Sequence, residues 1–244
     1  MNTIFLDVMT INPNDPVTFT FFTGYMAMFA ASVFFFFERG QVDGKWKTSL
    51  LVSGLITAIA AVHYYYMRDF FAATGKTPVA LRYIDWTLTV PLMCLEFYLL
   101  LKPAGAKAAF MWKLIAASVV MLVAGYIGEA FNPEASASHN VMWGVISTQG
   151  YVYILYSAWF GEAKKLAASS SSASVQKGIQ ALAWFVLVGW AIYPIGYMCA
   201  PGGWLSGVFN PEDVNLFYNL ADAVNKIGFG LVVYSIATSE SAKA

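Results

Sequence analysis

The sequence predicts an all-α membrane protein, a bundle of seven transmembrane helices with its N-terminus outside. Three observations carry that prediction: the composition, the number of long apolar stretches and the uneven distribution of basic residues. Of 244 residues, 59% are hydrophobic and 11% are charged, where a water-soluble domain carries about 25% charged residues. Mean hydropathy is +0.59. Fourteen Lys and Arg balance fourteen Asp and Glu, so there is no basic excess of the kind that polyanions bind, and nucleic acid is excluded as a main partner.

Crossing a bilayer takes roughly 20 apolar residues. Seven such stretches run near 16–37, 46–67, 80–101, 108–130, 140–163, 175–199 and 213–238. Turn and stop chemistry separates them in order: Glu38-Arg39-Gly40, Thr74-Gly75-Lys76, Lys102-Pro103-Ala104-Gly105, Asn132-Pro133-Glu134, the serine run at 169–172, and Pro201-Gly202-Gly203. The serine run reads as a flexible loop and not as a domain linker. Residues 1–244 are therefore expected to form one domain, with a short N-terminal tail at 1–15 and a C-terminal tail at 239–244. The first tail carries Asp7 and Asp15 but no basic residue, so it reads as a retained tail and not as a signal peptide.

Alternating seven spans puts Arg39, Lys45, Lys47, Lys102, Lys107, Lys113, Lys164, Lys165, Lys177 and Lys243 on one side. Only Arg68 and Lys76 fall on the other. Basic residues accumulate on the cytoplasmic side of multi-pass proteins, so this ten-to-two bias places the N-terminus outside. Cys94 and Cys199 lie in apolar stretches with no second Cys or His at ligand spacing, and read as buried thiols, with no metal site.

The charges left inside the spans are Arg82, Asp85, Glu96, Asp222 and Lys226, with Glu129 near the end of the fourth. An ionisable group in the bilayer interior is costly, so each is a candidate functional residue that should face the bundle interior and have a partner. Asp222 and Lys226 are four apart, which stacks them on one helix face. Such a pair is either an inert ion pair or a carboxylate beside a reactive lysine, since a desolvated amine condenses readily with an aldehyde. On the third span Thr89 is one turn from Asp85. Glu96 is eleven residues on, which returns it to within about 20° of the same face after about 16 Å of rise. Acceptor, hydroxyl and donor along one interior line are what stepwise proton transfer needs.

The run Arg82-Tyr83-Ile84-Asp85-Trp86-Thr87-Leu88-Thr89-Val90-Pro91 with Glu96, the sixth-span Trp190-Ala191-Ile192-Tyr193-Pro194 and the seventh-span Asp222-Ala223-Val224-Asn225-Lys226 together closely resemble the microbial rhodopsins. Within that family the chain is similar to the bacterial proteorhodopsin and xanthorhodopsin branch, across all seven spans. The resemblance implies that Lys226 carries all-trans retinal in the centre of the bundle as a protonated Schiff base. Asp85 and Asp222 would be its counterions, and Arg82 would hold the outer side of the cavity. It further implies light-driven outward proton pumping, with Asp85 as acceptor, Glu96 as donor from the cytoplasmic side and Thr89 between them. His63 would hydrogen-bond the acceptor and stabilise its ionised form.

The implied retinal pocket comprises Trp86, Met93, Met121, Gly125, Ser147, Trp190, Tyr193, Pro194 and Tyr197, with Tyr64 and Tyr193 donating towards Asp222. Met93 stands where Leu or Met accompanies green absorption and Gln accompanies blue. Gly144 stands where xanthorhodopsin-like members have an opening to the lipid through which a hydroxylated carotenoid such as lutein or zeaxanthin serves as antenna. Glycine there equally permits close helix packing. Relatives assemble as pentamers or trimers with His63 near the protomer contact, so a homo-oligomer in the bacterial inner membrane is implied, in contact with lipid and passing protons. Glu129 is explained equally by a proton exit path and by solvation at the interface.

Two other readings remain. A photosensory protein of the same fold could signal to a separate transducer; Glu96 argues against it, because a fast internal donor serves a repetitive cycle. An ordinary transporter without chromophore would leave Lys226 unmodified.

Overall fold

The structure, a computed structural model, describes residues 15–131, 136–200 and 203–243. Among these the chain is helical, with no strand. The helices are α1 (Pro16–Glu38), α2 (Lys47–Thr74), α3 (Val79–Leu101), α4 (Ala108–Tyr126), α5 (Ala137–Trp159), the short α6 (Glu162–Ser169), α7 (Ala173–Trp184), α8 (Ile192–Cys199) and α9 (Pro211–Ser241). A π-helical turn, Ile127–Phe131, extends α4, and a second, Phe185–Gly189, joins α7 and α8 into one rod. The bundle therefore has seven long rods, as the spacing of apolar stretches predicts.

Local chemistry sets the ends. Asp15 accepts from Val17 N at 3.0 Å with Pro16 in the first turn, which opens α1. Gly75, at φ 66°, closes α2 in the left-handed conformation that favours glycine. The second rod continues to Thr74 instead of ending near 67. Arg68 pairs with Asp69 at 2.7 Å and lies over the Tyr25 and Tyr65 rings, so these charges are satisfied on the helix without ending it.

The serine run forms the short loop between α6 and α7. Ser169 ends α6, and Ser172 caps α7 by accepting from Val175 N at 3.2 Å while donating to Glu240 at 2.6 Å. Serine is favoured here because its hydroxyl satisfies a free helical N–H. The expected N-terminal tail apart from Asp15, the break at Asn132-Pro133-Glu134, Pro201, Gly202 and Ala244 lie outside the described residues. The expected C-terminal tail at 239–244 begins instead as the last turn of α9.

Six rods are long and apolar enough to cross a membrane. The fifth, α5, has 23 residues but lower hydropathy, because His139, Asn140, Ser147, Thr148 and Gln149 fall on it. Consecutive rods pack side by side, and α9 closes the ring against α1, α2 and α7. Phe35, Trp46, Leu50, Phe97, Phe110, Ile179 and Val233 belong to a core that fills the lysine-rich half. Phe21, Met28, Tyr64 and Met67 pack in the opposite half. The charged residues of α3 and α9 meet between the two.

Candidate functional site

Helix spacing brings the interior charges together. Lys226 Nζ lies 2.5 Å from Asp85 Oδ2 and 3.4 Å from Asp222 Oδ1, and all three side chains are buried. Arg82 is also buried, so within this cluster two cations accompany the two carboxylates Asp85 and Asp222. This balance lets four ionisable groups share a low-dielectric interior that would expel any one of them alone.

The two carboxylates differ in company. Asp222 accepts from Tyr64 and Tyr193 at 2.6 Å each, and from Trp86 Nε1 at 3.2 Å. Asp85 is held by Lys226 through Oδ2, while its buried Oδ1 has no hydrogen-bond partner among the described residues. Tyr64 and Tyr193 thus both donate to Asp222, the arrangement that the resemblance implies. Arg82 reaches Asp222 only through the Tyr64 hydroxyl, and no direct bond to either carboxylate is present among the described residues. Its guanidinium donates to Asn219 at 2.7 Å, Asn215 at 3.1 Å and the Tyr64 hydroxyl at 3.3 Å, and stacks over Phe21 and Tyr218.

Two expected neighbours of Asp85 make other bonds. Thr89 Oγ1 donates to the Asp85 backbone carbonyl at 2.9 Å, not to its carboxylate. His63 Nδ1 donates to the Ile59 carbonyl at 2.8 Å, which turns that edge of the ring along its own helix. Glu96 is buried, with Ser53 donating to Oε1 at 3.1 Å. Phe97 and Phe229, with ring centroids 6.0 Å apart, belong to the apolar core around it.

A cavity of about 880 Å³ extends from Lys226 between the helices. Trp86, Met93, Met121 and Ser147 line it from one side, and Trp190, Tyr193, Pro194 and Tyr197 from the other. Gly125 shapes it indirectly, since a Cβ there would lie 2.9 Å from the Tyr83 hydroxyl. Gly144 lines the cavity too, but the space beside it is taken by Tyr197, whose Cε1 would lie 2.7 Å from an added Cβ. Tyr197 is fixed there by donating to the Asn140 carbonyl at 2.6 Å. A mostly apolar cavity of this size, with one amine and its carboxylates at one end, fits a long apolar chromophore joined to Nζ. Such pockets typically measure about 300–1,000 Å³.

Several contributing residues were not singled out in the sequence. Asn215 and Asn219 hold Arg82, Asn225 donates to the Gly189 carbonyl at 3.0 Å, and Ser53 holds Glu96. The signal was present as spacing: residues 215, 219, 222 and 226 fall on one helical stripe, and so do 49, 53 and 57. Glu129, in the π-helical turn, accepts from Tyr83 at 2.8 Å, which ties it to the cavity wall and not to solvent alone.

A family profile described as bacteriorhodopsin-like protein matches residues 15–240. The blue-light absorbing proteorhodopsin of Gamma-proteobacterium Hot 75m4 is 47% identical, over 95% of this chain and 90% of its own. The green-light absorbing proteorhodopsin of Gamma-proteobacterium EBAC31A08 is 44% identical, over 96% and 91%. Among solved structures, blue light-absorbing proteorhodopsin from Med12 superposes with a TM-score of 0.76 at 41% identity, over 92% of this chain and 98% of that one. Xanthorhodopsin, described as a light-driven ion pump with dual chromophore, gives 0.83 at 28% identity, over 96% and 97%. This chain is a multi-pass membrane protein and belongs to the bacteriorhodopsin-like family, in which retinal is bound to a lysine.

Proposed function

We propose that this protein is a light-driven outward proton pump with retinal on Lys226. The observation that carries the reading is the unequal pair of carboxylates around one buried ammonium, with a third carboxyl isolated on the same helix face towards the lysine-rich end. Bound through Nζ, retinal would supply the absorption of visible light that drives the transfer. Asp85, whose Oδ2 lies 2.5 Å from Lys226 Nζ, would be the acceptor of the proton. Asp222 stays ionised, because three donors already stabilise its charge. The proton on Asp85 leaves past Arg82 and its asparagines. Glu96 then returns a proton to Nζ from the lysine-rich side, which the charge bias makes cytoplasmic.

Light-induced pH change in an unbuffered suspension of cells expressing the protein with retinal tests this. Acidification that a protonophore abolishes, and that Asp85→Asn eliminates, is the expected result. Coloured cells with no sustained pH change would select the photosensory reading, and colourless cells would overturn retinal binding at Lys226.

Finer features follow the same resemblance. Met93 on the cavity wall favours green absorption. The chain folds as one domain, with its N-terminus outside and its C-terminus in the cytoplasm of a bacterial cell, and it assembles as a pentamer or trimer. A hydroxylated carotenoid antenna is supported by the lateral reach of the cavity along Gly144, Val145 and Thr148. Tyr197 narrows that path, so the antenna reading requires its ring to yield. Added lutein or zeaxanthin should give an induced circular dichroism and energy transfer to retinal, both lost in Gly144→Trp; absence of both signals in the unmodified protein removes the antenna.

A further inference from the structure

Three buried polar atoms towards the lysine-rich end have no hydrogen-bond partner among the described residues: Trp46 Nε1, Ser49 Oγ and Glu96 Oε2. Residues 49 and 53 fall on one face in the first turns of α2, and Trp46 closes the 3-10 turn that leads into that helix. Ser53 occupies Glu96 Oε1, and Ser49 stands one turn nearer the lysine-rich end on the same helix face. Trp46 follows beside Lys45, whose ammonium lies 5.7 Å from its ring. Around this file the packing is apolar, with Leu50, Phe97 and Leu100 all buried. Orphaned polar atoms in such packing are rare and call for a reason.

We infer that this file is the proton inlet of Glu96, with Ser49 as its relay and Trp46 as its positioning residue. The inference rests on the reading of Glu96 as internal donor. After Glu96 has given up its proton, a hydronium ion on the cytoplasmic side donates one to Ser49 Oγ and is left as water. The hydroxyl proton that Ser49 already held passes to Glu96 Oε2. One O–H bond forms and one breaks at the serine, and the carboxylate ends neutral. Ser53 holds Oε1 and so leaves Oε2 as the seat of the arriving proton. An indole N–H donates only, so Trp46 cannot relay; it orients the oxygen that feeds Ser49.

The test uses the full chain loaded with retinal, followed after a flash by visible absorption and by the infrared carbonyl band of protonated Glu96. Ser49→Ala should slow reprotonation of Glu96 at least tenfold and move that band to higher wavenumber, through loss of the hydroxyl that the relay sets against Oε2. Ser49→Thr should restore both, and azide, a small acid that carries protons across the gap, should restore the rate alone. Ser49→Cys keeps the side-chain volume and carries the same test if alanine leaves too little folded protein. An unmoved band and an unslowed reprotonation in Ser49→Ala, with Glu96→Gln slow, would overturn the inlet. Recovery unslowed in Glu96→Gln would instead sink the donor reading, and the inlet with it.

Discussion

Asp85 and Asp222 flank the same ammonium, and what separates them is hydroxyl groups. Each tyrosine on Asp222 contributes a charge-assisted hydrogen bond, and losing one buried donor to a charged group costs about 1.5–3 kcal/mol. Tyr64→Phe and Tyr193→Phe are each expected to lower thermal stability by that order, read from the loss of visible absorption on heating. In the double variant Asp222 should compete with Asp85 for the transferred proton, so that two carboxylic carbonyl bands replace one in the infrared difference spectrum; a single unshifted band would contradict the division of roles. At this scale the sequence was most informative where it was most costly. Lys226, Asp85, Asp222 and Glu96 stand out because a charge in an apolar run needs a reason. Asn215, Asn219 and Ser53 did not, since neutral polar residues are cheap in helices and only their common stripe marks them. The side-chain directions of His63 and Thr89 were not legible, because each has a backbone carbonyl one turn back that competes for its hydrogen bond.

The sixth rod shows what the apolar pattern leaves out. Its expected span, 175–199, has the right extent, but the interior contains the π-helical turn Phe185–Gly189, where Trp190 N bonds Phe185 O at 3.0 Å. A π turn frees carbonyls that an α-helix would engage. Here Tyr151 donates to the Val186 carbonyl at 3.0 Å and the Leu187 carbonyl at 3.2 Å, while Asn225 donates to Gly189. A Cβ at Gly189 would collide with the Asn225 side-chain oxygen, so glycine is required for that approach. The bulge thus couples the cavity wall at Trp190 to the helix that carries Lys226. Asn225→Val leaves the Gly189 carbonyl unpaired and should cost about 1–3 kcal/mol, seen as a lower melting temperature. A variant as stable as the parent would show that the turn is held by Tyr151 alone. Hydropathy cannot reveal such a turn, because it changes the hydrogen-bond register without changing which residues are apolar. The serine run reads as a loop, which residues 170–172 form, but hydropathy does not reveal that Ser172 also caps α7 and bonds Glu240, 68 residues away.

The whole molecule adds a direction to this machinery. A ring of seven rods with a charged centre is nearly symmetric about the membrane plane, and nothing in the Asp85–Lys226–Asp222 cluster says which face is the cell's interior. The proposed orientation rests on the basic residues. Ten lie on the Glu96 side and two on the Arg82 side, and that bias acts during insertion, before any proton is moved. The cost of working against it is modest: one charge carried outward across 100 mV requires about 2.3 kcal/mol. Replacing Arg39, Lys45 and Lys47 by Gln would cut the bias from ten-to-two to seven-to-two. It removes charge from the first loop, where orientation is most often decided. The expected outcome is a fraction of inverted molecules whose pumping opposes that of the rest. Net acidification per absorbed photon should therefore fall, while the absorption spectrum and the flash-induced cycle, which do not depend on orientation, stay as they were. A C-terminal epitope, shielded in intact cells carrying the parent, should become partly accessible from outside in the variant. An unchanged epitope together with an unchanged pH signal would mean that the remaining loops suffice to orient the chain.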